Sequence, residues 1–287
     1  DEALNFVNLN LNDYVLTLGS STSDLTIENA ITIDSSGEGI LTGEADLILL
    51  SSLNMSQGLL GSTGGTWVLI KDFLKSGGTL TISQTDLELK DSIKLTSDQA
   101  LSFVFATLNL NNFTLTLGSS TSDLTVENAI TIDASTEGIL TGGADLLLSA
   151  LTLSAGDVTS TGGIVSLSGG GQLSGTGILD VSGSTWVLGG DFVKSSGTLT
   201  ISQTNLALSG NSTLTSDEAL SFDNLTLNDF TLTLGSSDSD LTVQNAITID
   251  TSTEGISTGE ADLILNSALT MDNGLLDSTG GDWVFVQ

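Results

Sequence analysis

Three aspartates, Asp240, Asp262 and Asp282, recur at spacings of 22 and 20 residues, and each is followed by leucine or tryptophan. If successive turns of a coiled chain stack them, neighbouring carboxylates lie about 5 Å apart and repel by about 3 kcal/mol per pair at an effective dielectric of 20. A hard cation that prefers oxygen ligands, Ca²⁺ above all, would relieve that repulsion. Asp238 adds a further carboxylate beside the first. The simpler expectation is that aspartate opens these segments because its side chain satisfies turn backbone groups and faces water. The calcium nonapeptide GGxGxDxUx and the EF-hand loop are both missing, so calcium is the one cofactor the column would take and none is required.

Other chemistry is excluded by what the chain lacks. It contains 35 acidic residues, five lysines, no arginine, no histidine and no cysteine, for a net charge of −30. Zinc sites of the usual kind, haem or iron–sulfur ligation, disulfides and Ser-His-Asp or Cys-His nucleophiles cannot be built. A −30 field also repels phosphate backbones and anionic membranes, so nucleic acid is not an expected partner. The longest apolar runs, such as Leu47 to Leu50, are far shorter than the ~20 residues of a membrane span, so no membrane insertion is expected. With 39% hydrophobic residues the chain can nevertheless bury a core. No basic N-terminal segment leads into an apolar run, which suggests a mature chain or a piece of something longer.

The elements that would carry these residues show themselves as repeats. DEALNFVNLNLNDY at Asp1 recurs as DQALSFVFATLNLNNF at Asp98 and DEALSFDNLTLNDF at Asp217, each followed by LTLGSS and then NAITID. STGG precedes Trp67, Trp186 and Trp283. The super-repeats therefore span 1–97, 98–216 and 217–287, the third incomplete. The second is longer mainly because Ile164 to Ser184 stands between STGG and its tryptophan. A packed globular domain would not readily accept such a block, whereas a solenoid accepts one whole coil.

Within each super-repeat, apolar residues alternate with Ser, Thr and Asn over short stretches such as Ile31-Thr32-Ile33, separated by Gly, Ser, Asn and Asp clusters. That is the period of strands with one buried face. Asp24, Asp46, Thr66 and Asp86 mark turns of about 20 residues, five in the first super-repeat and six in the second. No helical periodicity is present. The expected fold is all-β, a single right-handed parallel β-solenoid of about 14 coils and roughly 70 Å. Stacked Leu, Ile and Val would fill it, with Phe and Trp at wider points. Positions that differ freely between super-repeats, Glu88 beside Ala207, Lys90 beside Ser209 and Lys71 beside Gly190, would face solvent.

LTGEADLILLSSLNM, GTGILDVSGSTWVL and GTLTISQTNLALSGNSTL resemble the repetitive β-helical regions of large bacterial surface and secreted proteins, of the filamentous-haemagglutinin and autotransporter-passenger type. The resemblance covers essentially the whole chain and carries over no functional residue. It implies an extracellular or cell-surface, elongated, adhesive or fibre-forming protein, whose partners would be further copies of itself and cell-surface glycans. The lack of cysteine accords with that family's passage across membranes unfolded.

The alternatives are weaker. β-Helical lyases use Arg or Lys against acidic polysaccharides, and here Lys71, Lys75, Lys90, Lys94 and Lys194 have no counterpart in the third super-repeat. Carboxylate pairs for a glycosidase arise by chance among 35 acids. The expectation is therefore no enzyme, with a secreted carbohydrate-active β-helix or a Ca²⁺-dependent glycan-binding module as alternatives. Thr-x-Thr pairs at Thr79, Thr114, Thr198 and Thr231 are too intermittent for an ice-binding ladder. Ser168 to Gly177 lacks the Lys and helix of a phosphate cradle. The three tryptophans read as core or corner packing.

Overall fold

The computed structural model describes residues 3–100 and 103–286. The chain is all-β, with no helix among the described residues, and its parallel strands stack as a β-solenoid of about 13 turns roughly 21 residues apart. The expected fold class holds, with slightly longer and fewer turns than anticipated. A recurring strand is a triplet in which a middle Thr, Asn or Ile is less buried than the two aliphatics beside it, as in Leu25-Thr26-Ile27 and Ile31-Thr32-Ile33. Three residues suffice for such a pattern because side chains alternate with a period of two.

Two compact units are distinguished, residues 1–130 with 136–146, and 131–135 with 147–287. In the first, strands Leu25–Ile27, Leu47–Leu49, Thr66–Leu69, Asp86–Leu89 and Thr107–Asn109 pair in register on one face. Their inward column is Leu25, Leu47, Trp67, Leu87 and Leu108. A second face carries Ile31–Ile33, Leu53–Met55, Phe73–Lys75, Ile93–Thr96, Thr114–Leu117 and Gly138–Gly142. The third carries Val15–Thr17, Gly39–Gly43, Leu59–Ser62 and Thr79–Ile82.

In the second unit, the block Ile164 to Ser184 forms three strands, one for each face. Ile164–Leu167 pairs with Thr185–Leu188. Gly171–Leu173 lies between Leu151–Leu153 and Phe192–Lys194, and Ile178–Asp180 lies between Asp157–Ser160 and Thr198–Thr200. The block is thus one whole turn. Its glycine-rich stretch is a tight corner: Gly170 sits at φ +86°, and a Cβ there would meet the Asp191 carbonyl oxygen at 1.9 Å.

One expectation needs correction. The super-repeats do not contain whole numbers of turns. GILTG at Gly39–Gly43 lies on the third face of the first unit, whereas the same five residues at Gly138–Gly142 lie on the second. Likewise Thr185–Leu188 stacks between Ile164–Leu167 and Asn205–Leu208, while its counterpart Trp283–Phe285 stacks on Leu263–Leu265 in another sheet. The shifted segments present the same aliphatics inward on either face, so the sequence repeat need not match the turn count.

Aromatic residues fill the interior in two clusters. Trp67 lies 6.1 Å from Phe73 and 5.9 Å from Phe105, and Phe73 lies 5.7 Å from Phe103. In the second unit Trp186 lies 4.8 Å from Phe192, edge to face, and 6.2 Å from Phe222. Trp67 and Trp186 are fully buried as expected, but Trp283 is 39% exposed.

Candidate functional site

The predicted aspartate column exists as a ladder of backbone caps. The Asp262 N–H donates to Asp240 Oδ1 at 2.8 Å, and the Asp282 N–H donates to Asp262 Oδ1 at 2.8 Å. In the first unit the Asp46 N–H donates to Asp24 Oδ1 at 3.1 Å and the Thr66 N–H to Asp46 Oδ1 at 2.7 Å. Strand entry also uses main-chain carbonyls, as where the Leu241 N–H donates to the Asp262 carbonyl at 2.9 Å. One oxygen of each of these capping carboxylates therefore satisfies the amide that opens the next turn, which is the turn-capping role of aspartate. Among the described residues, no three acidic side chains converge to hold a metal ion.

A second corner repeats the device with other side chains. The Lys94 N–H donates to Asp72 Oδ1 at 2.8 Å, the Thr213 N–H to Asp191 Oδ1 at 2.7 Å and the Thr231 N–H to Asn211 Oδ1 at 2.9 Å. Asparagine serves there as well as aspartate, so the corner selects an acceptor oxygen and not a charge. We expect Asp46→Ala to cost about 1–2 kcal/mol and Asp46→Asn less than half of that, because the amide oxygen still accepts. Urea denaturation of the two variants measures the difference.

Two consecutive left-handed residues mark a third kind of corner in each super-repeat. They are Asn12-Asp13, Asn111-Asn112 and Asn228-Asp229, with φ between 49° and 69°, a conformation that Asn and Asp tolerate best. A glutamate supports the corner from the next turn. The Asn112 N–H donates to Glu137 Oε1 at 3.1 Å, and Glu254, only 9% exposed, accepts from the Asp250 N–H at 2.9 Å and the Asp229 N–H at 3.3 Å. The amide of Asp250 is the chief reason that the Glu254 carboxyl titrates below its ordinary value, against the upward push of burial. A depressed carboxylate contributes stability that is present above its unfolded pKa and lost as pH falls through the folded one. The stability gap between the native chain and Glu254→Gln is therefore expected to be full above pH about 4.5 and to close below it. Thermal melts across that range check this.

The sequence reading missed the lysines that matter. Lys71 and Lys90 are exposed and pair with Asp91 at 2.8 Å and Glu88 at 2.5 Å, as solvated positions should. Lys75 and Lys194 instead point into the solenoid. Lys75 is 1% exposed and follows Ile33 and Met55 in an inward column. Lys194 is 4% exposed and follows Leu153 and Leu173. Each reaches the first acid of the following super-repeat: Lys75 binds Asp98, and Lys194 binds Asp217 and, at 3.2 Å, Glu218. Burial pushes the Lys194 ammonium down, but hydrogen bonds to Asp217 and Glu218 outweigh it and hold it above the ordinary value. The same contact from Lys194 lowers Asp217. The signal lay in FLKSGGTLTISQT and FVKSSGTLTISQT, where lysine is kept while the positions of Lys71, Lys90 and Lys94 change.

The threonine pairs do not form one ladder. Thr79–Ile82 pairs with Leu59–Ser62, and Thr114–Leu117 lies between Ile93–Thr96 and Gly138–Gly142 on another face. In the second unit a groove of about 350 Å³, lined in part by Leu199, Ile201, Gln203, Glu218, Ser221 and Gln244, lies beside the Lys194 partners. Comparison with known proteins returned no match to a family model, a curated protein or a solved structure.

Proposed function

We propose that this chain is a non-catalytic structural protein of the cell exterior, a subunit or segment of a self-associating filament or surface adhesin of the filamentous-haemagglutinin and autotransporter type. The observation that carries the proposal is the solenoid itself: parallel turns roughly 21 residues apart, joined in register by main-chain pairing. Stacked repeats of this kind lengthen by whole turns and present an extended repetitive surface. The −30 charge would hold such rods apart laterally until cations screen it.

Electron microscopy of the purified protein with and without millimolar Ca²⁺ tests this. Long uniform fibres with an axial repeat of ~4.8 Å are the expected result. Isolated rods in both conditions would overturn self-association. Fibres that form only with Ca²⁺, and dissolve in chelator, would give the Asp240, Asp262 and Asp282 column a cation-binding role beyond capping.

A further inference from the structure

Among the described residues, the backbone ladder of one face is interrupted at each super-repeat junction, while strands on other faces pair across it. Thr79–Ile82 ends one sheet of the first unit, and Phe103–Phe105, which packs next to it three strands later, opens a different sheet with Leu124–Val126. In the second unit Thr198–Thr200 ends its sheet, and Leu220–Phe222, three strands on, opens another with Leu241–Val243. In the second unit a second such break separates Asn224–Thr226 from Ile247–Ile249, whereas most other strands that follow by three are hydrogen-bonded to their predecessors. The opening strands of the second and third super-repeats are therefore paired as strands on one side alone, with one main-chain bond just beyond each, from the Ala106 N–H to the Thr85 carbonyl and from the Asp223 N–H to the Thr204 carbonyl.

Side chains span the interruption, and they are the same in both units. Phe105 and Phe222, the last residues of the opening strands, pack on Trp67 and Trp186 from the preceding super-repeat. The buried ammonium groups of Lys75 and Lys194 reach Asp98 and Asp217 on the segments that lead into those strands. Glu218 adds a second acceptor at 3.2 Å. The acid side chains remain 35%, 43% and 50% exposed, whereas the lysine side chains are 0% and 3% exposed. An aliphatic residue in the lysine position would match the column above it. Retaining a charge there has a physical purpose only if its partner must be held.

We propose that Lys75 and Lys194 are latches at the interrupted faces of the two super-repeat junctions, holding closed the places where local opening of the chain begins. A buried charge fixes its partner's position because leaving it unpaired is costly, even where the pair adds little net stability. Strands bonded on both sides lose twice as many main-chain bonds on opening, so local unfolding concentrates at the interruption. Releasing the acid frees the entry segment, and the groove beside Leu199 and Ile201 is where water would enter first.

Hydrogen exchange of the full chain, read by mass spectrometry, tests the latch. In Lys194→Met, and separately in the Asp217→Asn, Glu218→Gln double variant, amides over 216–223 should exchange at least about tenfold faster, with Thr185–Leu188 unchanged. Lys75→Met should do the same at Phe103–Phe105. The double variant alters half-exposed side chains only and carries the test if a lysine variant does not fold. Unchanged exchange at the junction, or a uniform loss of protection across the unit, would overturn the proposal.

Discussion

Deleting the whole block Ile164–Ser184 is expected to leave a cooperatively folding solenoid, whereas deleting the single residue Ala207 is expected to cost about 3–5 kcal/mol. The block contributes one strand to each of three faces, and its removal joins Gly163 to Thr185 as Gly65 is joined to Thr66 in the first super-repeat. Asp157–Ser160 would then meet Thr198–Thr200 as Leu59–Ser62 meets Thr79–Ile82, and Leu151–Leu153 would meet Phe192–Lys194 as Leu53–Met55 meets Phe73–Lys75. Turns contact only their neighbours, so stability changes by about one turn's share. The melting point should stay within about 5 °C of the parent's.

Removing Ala207 does far more with far less. It lies between the inward Leu206 and Leu208. A one-residue slip turns Leu208 outward and Ser209 inward. Exposing the leucine costs about 2 kcal/mol, and burying an unpartnered hydroxyl adds about 1–3 kcal/mol. Thermal melts followed by far-ultraviolet circular dichroism separate the two outcomes. A deletion of Ile164–Ser184 that melts without cooperativity would mean that turns are not exchangeable modules.

The same modularity explains what the sequence reveals and what it conceals. The solenoid was legible because inward Leu, Ile and Val alternate with outward Thr and Asn in many of its strands, as in Leu25-Thr26-Ile27 and Leu53-Asn54-Met55, a local pattern that buries itself as one face of a strand. Asp24, Asp46, Asp240, Asp262 and Asp282 were legible as a column for the same reason, since a recurring spacing becomes a stacking once the coil is recognised. Their work as acceptors for the next turn's amide was visible only as the general turn preference of aspartate. The phase slip of GILTG between faces was hidden, because three interchangeable faces leave no trace in the composition of a strand. Lys75 and Lys194 were hidden by their type: a lysine at an inward position breaks the alternation, and only the contact 23 residues away explains it. Glu254 was missed likewise, its backbone donors lying 4 and 25 residues distant.

Truncating Trp186 is expected to be the most damaging point substitution in the second unit. Its ring is fully buried between Phe192 and Phe222, so Trp186→Ala should cost about 3–5 kcal/mol. Trp283→Ala, at a position 39% exposed, should cost under about 1 kcal/mol despite the matching sequence context. The Trp186 indole Nε1 makes no hydrogen bond although it is buried, and an unsatisfied buried donor costs about 1–3 kcal/mol. Trp186→Phe therefore loses ring volume but sheds that penalty, and should fall well below the alanine variant in cost. Phe222 belongs to the following super-repeat, so a Trp186–Phe222 double-mutant cycle measures how strongly this side-chain contact joins the two beside the interrupted face. A coupling of about 0.5–1.5 kcal/mol is expected from the ring contact. A coupling near zero would leave the lysine ion pair as the principal tie across the interruption, and would make Lys194→Met the more damaging substitution there.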